Sequence, residues 1–321
     1  MNAFADRLHR FAGHLLYARR PAWTIALVRI LFGGALLSWT VSSMVDASIW
    51  FADDGLVPPS FASTAGWNVF SIDSTGAAWL TLAVLLVASV AIMVGWYPTP
   101  WLVVAFVLLV ALQRRNPLII NSGDLILRNL ALLLAFCPTG AALSVDRWRR
   151  EGREALWTAP LVAPWGLRLV QLQMVVVYFF AFWSKNGQSW HNGTAVSTAL
   201  RLDDLQRFPA PWFMIDDVSV VAMLTWGALA IELALAAFLW YKPLRPWLIV
   251  LAVMLHFFID GLLLVGFFGP VMIIGLLSFV DADWLDRKIG ERRRGREPVG
   301  DPGIAESDQR TLPDGSNVTI G

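Results

Sequence analysis

Charge is scarce in this sequence: Asp, Glu, Lys and Arg make up 15% of 321 residues, against roughly a quarter in an average soluble chain. Cysteine is all but missing, and the single Cys137 cannot close an internal disulfide, which excludes a secreted disulfide scaffold. No metal-ligand spacing, nucleophile elbow, glycine-rich phosphate loop or internal repeat occurs. Met1–Arg20 lacks the apolar core and small-residue cleavage site of a signal peptide. What replaces the missing charge is apolar: 57% of residues are hydrophobic, 17 are Trp, and the mean hydropathy is +0.58. Apolar runs near 20 residues recur, the length that crosses ~30 Å of hydrocarbon. These features exclude a cytosolic enzyme and a nucleic-acid module, and give an all-α, polytopic transmembrane helical bundle whose first partner is the lipid bilayer.

Eight spans are expected, at about 22–45, 77–97, 99–113, 124–143, 167–184, 217–240, 245–262 and 264–281. The third and the last two are short, which predicts tilt, breakage or packing against other helices. Basic residues collect on the cytoplasmic side of short loops. Arg7, Arg10, Arg19 and Arg20 precede the first span, and Arg147, Arg149, Arg150 and Arg153 follow the fourth. Lys242 and Arg245 follow the sixth, and Arg287 to Arg296 follow the eighth. The loop after Val45 holds Asp46, Asp53, Asp54 and Asp73 without Lys or Arg. Eight spans with both termini cytoplasmic satisfy every cluster and predict a multi-pass protein of the plasma membrane. Three regions follow: an interfacial amphipathic leader helix over 1–20, with Phe4, Leu8, Phe11 and Leu15 at helical spacing; a membrane domain over 21–285; and a basic, then disordered, cytoplasmic tail over 286–321.

Charged groups at membrane depth are costly and mark function or pairing. Arg29 lies in the first span and Glu232 in the middle of the sixth; a structural ion pair across the bundle is expected of them. The stretch from Arg114 to Arg128 joins the third and fourth spans. Its Asn121, Ser122 and Gly123 make a turn, and Asp124 begins the next helix, where a carboxylate caps exposed amides. Arg128 follows at i+4, facing the same way, which predicts a salt bridge with Asp124. Arg114 and Arg115 defy the positive-inside pattern, as residues kept for an anion or a polar network would. Lys185 closes the aromatic fifth span, and Trp190, His191 and Gly193 follow it. His256 lies inside the seventh span with Asp260 one turn on. Each of these also fits a plainer role: a snorkelling lysine, a capped helix, a hydrogen-bonded core histidine.

Four of these stretches together resemble the HTTM (horizontally transferred transmembrane) family, to which the membrane domain of vitamin K-dependent gamma-glutamyl carboxylase belongs. LVRILFG is similar to its first-helix Phe-Arg-x-x-x-Gly pattern, and NSGDLILR to the Asn-x-Gly-Asp-x-x-x-Arg of bacterial members. QLQMVVVYFFAFWSKNGQSWHNGTA resembles the carboxylase stretch that ends at its base lysine and continues Trp-x-x-Gly, which lays Lys185, Trp190 and Gly193 on those positions. HFFIDGLLLVG resembles the later His-containing helix, with His256 and Gly266 in register. The similarity covers about 20–285.

The resemblance implies an outward-facing cavity. In it Lys185, His256, Asp124 and Arg128 would be catalytic, and Arg115, Asn121, Trp190, His191 and Tyr178 would bind substrate. A quinol-dependent, lysine-base-assisted enzyme, carboxylase- or epoxidase-like and so a lyase, is one implied function, with a vitamin K- or menaquinol-like quinol as its small molecule. The chain departs from the carboxylase at Ser122-Gly123-Asp124, where that enzyme has a catalytic His, and in lacking a large lumenal domain. The second implied function is a non-catalytic membrane accessory for maturation, export or immunity of a secreted peptide.

Overall fold

The computed structural model describes residues 13–58, 60 and 72–294. Eight helices form where the sequence places spans: α1 (Trp23–Val45), α2 (Thr75–Val94), α3 (Pro98–Arg115), α4 (Ser122–Ala135), α5 (Trp165–Ser184), α6 (Val218–Phe238), α7 (Arg245–Leu262) and α8 (Phe268–Leu277). Among the described residues α1, α2, α5, α6 and α7 are the 5 helices long and apolar enough to cross a bilayer, or up to 6 candidates if α8 and the following helix, α9 (Ala282–Arg294), form one broken span. A two-residue antiparallel pairing of Arg20–Pro21 with Leu161–Val162 ties the approach to α1 to the approach to α5.

Helix ends follow local chemistry. α2 starts under the Ser74 hydroxyl, which accepts from the Ala77 amide, and stops at Gly95, whose φ of +74° suits glycine and lets its amide reach Ala91 and Ile92. α4 stops at Ala135, not near 143, because Cys137-Pro138-Thr139-Gly140 cannot continue a helix. α8 is likewise shorter than 264–281. The chain from Leu263 to Phe267 is non-helical, and Leu264 N–H donates to the Leu205 carbonyl while Arg207 N–H donates to Leu262.

Lipid tails are as apolar as Leu, so close packing rather than water exclusion joins such helices. α1 lies along α2, and a Cβ on Gly33 would come within 2.7 Å of the Met93 backbone. α8 packs on α1, α4, α5 and α7; Gly269, Val271, Met272, Ile274, Gly275 and Leu276 are buried. Its shortness is tolerated because protein, not lipid, surrounds it. α7 buries Leu248, Ala252 and His256 and exposes Trp247, Val250, Leu251, Met254 and Phe257. Large exposed apolar side chains also cover α2, α5 and α6, as a lipid-facing surface requires.

Most of the expected leader helix lies outside the described residues, as does the tail beyond Arg294. Within the tail, helix extends through Arg294, past the point where the composition turns polar.

Candidate functional site

Tyr178 and Lys185 are seven residues apart, two helical turns, so α5 turns both to one side. Lys185 ends the helix, its amide donating to the Phe182 carbonyl. From α6, Glu232 offers Oε1 to the Lys185 ammonium, and the two form an ion pair. Lys185 Nζ also lies 5.2 Å from the centroid of the Trp190 ring, a cation–π contact. Behind the pair, Tyr178 Oη and His256 Nε2 from α7 share a 2.9 Å hydrogen bond. Tyr178 and His256 are both buried, and the charges of Glu232 and Lys185 act on them. Two atoms here keep unused hydrogen-bonding capacity: Glu232 Oε2 and His256 Nδ1 are buried without a partner.

Lys185 opens on a cleft of about 460 Å³ walled by Phe182, Trp183, Trp190, Trp226 and Leu229, with Asn186 and His191 at its polar margin. Trp226 Nε1 donates to the Trp190 backbone carbonyl at 3.2 Å, which fixes the Trp226 indole. Gly193, at a φ of +71° that favours glycine, brings the chain close against Ala222 and Trp226. His191 turns its Nδ1 back on the Gly187 carbonyl at 3.0 Å. The lining is apolar with a few polar groups at one end, the usual make-up of a small-molecule site.

Others of the residues singled out by sequence form a second hydrogen-bonded cluster. Asn121 and Asp124 make a reciprocal capping box at the start of α4: each side chain accepts from the other's amide, at 3.2 and 2.9 Å. The second Asp124 oxygen accepts from Trp39 Nε1 at 2.7 Å. One Asp124 oxygen is turned to the cap and the other to the indole, and Asp124 makes no ion pair with Arg128. Arg128 donates instead to Gln113 Oε1 at 3.0 Å, and Gln113 Nε2 donates to the Asp124 carbonyl at 2.9 Å. A pocket of about 190 Å³ adjoins this network, between Trp39, Ser42, Gln113, Asp124 and Phe267. Arg115 is buried and donates to the carbonyls of Val57 and Ala52 at 2.9 and 2.7 Å, anchoring the loop after α1.

The expected Arg29–Glu232 pair does not form, because each charge has a nearer partner at opposite ends of the fold. Glu232 holds Lys185, while fully buried Arg29 donates Nη2 to the Leu143 carbonyl at 2.6 Å and faces Asp146. Asp146 in turn accepts from the Tyr97 amide at 2.8 Å. Among the described residues Tyr97 and Leu143 are the non-glycine residues with positive φ, 43° and 46°. Arg29 and Asp146 therefore clamp two strained residues, a scaffold role.

Trp39, Gln113 and Trp226 complete these networks and were not singled out by sequence. Gln113 alone carried a signal, being polar in an otherwise apolar run. Among the described residues no group of three or more His, Cys, Asp or Glu stands close enough to hold a metal ion. A family model described as the HTTM domain matches residues 17–284. No curated protein and no solved structure matches the chain.

Proposed function

The chain belongs to the HTTM family, and from that premise we propose that it is a multi-pass membrane enzyme using Lys185 as a general base on a lipid-soluble quinol. The observation that carries this reading is the Lys185–Glu232 pair at the polar end of a tryptophan-walled cleft. Flat aromatic walls suit a quinone-type ring, and Tyr178 and His256 behind the pair can exchange protons with it. In a poorly solvated site desolvation takes away the ion pair's advantage, so the ion pair and its neutral acid–amine tautomer lie close in free energy. Lys185 passes a proton to Glu232 and becomes an amine. It then takes the proton of a phenolic hydroxyl, leaving an anionic oxygen beside the ammonium and Glu232 neutral. The basic clusters support eight crossings with both termini cytoplasmic, so Lys185 faces the extracytoplasmic side of the plasma membrane.

Menadiol, titrated into the protein in lipid nanodiscs, tests this. Saturable quenching of tryptophan fluorescence is expected, weakened at least tenfold by Trp190→Ala or Trp226→Ala. Lys185→Arg should keep the charge yet abolish turnover, because a guanidinium does not supply a neutral amine. Absence of saturable quenching, or full turnover in the Arg variant, overturns the reading. A secreted peptide that binds the cleft with no quinol effect would instead establish the accessory function.

A further inference from the structure

At the far end of α5, about 25 Å along the helix from Lys185, four basic residues converge. Arg168, on the first turn of α5, is half-buried with its guanidinium 5.4 Å from the Trp240 ring centroid. It donates Nη1 to Gln171 Oε1 at 2.7 Å and Nε to the Leu15 carbonyl at 3.3 Å. Among the described residues no carboxylate pairs with it, and the charges acting on it are those of Arg245 and Arg20. Arg245, the first residue of α7, spends its donors on the carbonyls of Leu239, Trp240 and Phe279. Arg20 is paired with Asp283. Lys242, in the turn between α6 and α7, is exposed and has no partner among the described residues.

These four side chains line one pocket of about 80 Å³, which also receives Asp281 and Asp283. Four cations against two carboxylates leave an excess of two positive charges. Holding like charges together in a half-buried site is unfavourable unless an anion joins them. We propose that this pocket binds a phosphate group, that of an anionic phospholipid whose headgroup lies at the basic end of the bundle. The pocket has room for one tetrahedral oxyanion. Arg168 and Lys242 hold the free donors for it, and the other two guanidiniums supply field. Exposed Trp165, Tyr241 and Trp247 ring the same end, the side chains that settle at headgroup depth, so lipid phosphate is delivered to the pocket mouth. The site shares no residue with the Lys185 cleft and does not depend on its chemistry.

Native mass spectrometry of the detergent-purified full chain, with phosphatidic acid, phosphatidylcholine or inorganic phosphate added, reads the proposal. Phosphatidic acid should be retained at least tenfold more strongly than phosphatidylcholine. Lys242→Gln, in an exposed turn where folding is not at stake, should weaken that retention about fivefold, and adding Arg168→Gln about fivefold again. Arg201→Gln, at an exposed ion pair elsewhere, should change nothing. Inorganic phosphate occupying the pocket as tightly as phosphatidic acid would keep the oxyanion site but overturn its assignment to lipid. Equal retention of both lipids, or retention indifferent to Lys242→Gln, overturns the site itself.

Discussion

Lys185→Met, Glu232→Met and the double change form a thermodynamic cycle whose asymmetry the structure dictates. Glu232 is 11% exposed at its side chain and offers one oxygen to Lys185; the other already lacks a partner. Taking Lys185 away strands both oxygens of a buried carboxylate, which should cost about 3–5 kcal/mol. Lys185 is 23% exposed, opens on the cleft and rests on Trp190. Losing Glu232 leaves it partly hydrated and still on the Trp190 ring, so about 1–3 kcal/mol is expected. Replacing both groups by methionine removes the unpaired charge along with the pair and should cost less than the sum, with a coupling near 2 kcal/mol or more. Unfolding by sodium dodecyl sulfate in mixed micelles, followed by tryptophan fluorescence, measures all three. Costs that add to within about 0.5 kcal/mol, or a Glu232 variant weaker than the Lys185 variant, would refute the pairing.

Asp124→Asn should cost about 1–2 kcal/mol through the cap and the Trp39 bond. Combined with Arg128→Gln it should be additive, since no direct pair joins them; a coupling above 1 kcal/mol in the same unfolding assay would restore the i,i+4 salt bridge. Gly95→Ala should destabilise by at least about 1–2 kcal/mol from its left-handed backbone alone, and further because the new methyl meets the Arg29 guanidinium; an unchanged midpoint would show that the Arg29 node yields freely. Cysteine introduced at Ser60 should be labelled from outside and at Ser307 from inside, with little background because native Cys137 is buried; labelling of both from one face would sink the eight-span topology and the sidedness of Lys185.

Helix positions were legible because a run of apolar residues has a length, and length is what a bilayer selects. All eight helices lie within a few residues of the expected spans except at the ends of α4 and α8. There, Pro138 and Gly140 outweigh the apolar residues beyond them, and the strand-like contact of Leu263 with Gln206 pulls the chain from helix. The short α8 and the short α7 read alike in sequence, yet one is enclosed and the other faces outward. Enclosure depends on which helices neighbour it, and no local pattern encodes that.

Partnerships were less legible than positions, for a reason the three polar clusters make concrete. Sequence marks Arg29, Asp124, Lys185 and Glu232 as too polar for their depth, but partners are chosen by distance in the fold. Arg29 finds a carbonyl 114 residues away, and backbone oxygens leave no trace in composition. Asp124 finds Trp39, 85 residues away, before it finds Arg128 four residues on, because its cap geometry already points the carboxylate elsewhere. The i+7 spacing of Tyr178 and Lys185 survives because both lie on one helix. What then separates a site from a scaffold is access. Arg29 is wholly enclosed and can meet no substrate, and Asp124 has its oxygens occupied. The Lys185–Glu232 pair alone of these combines a spare carboxylate oxygen with a cleft wide enough to bring a ring against it. That access is what the proton transfer proposed above requires of Lys185 and Glu232.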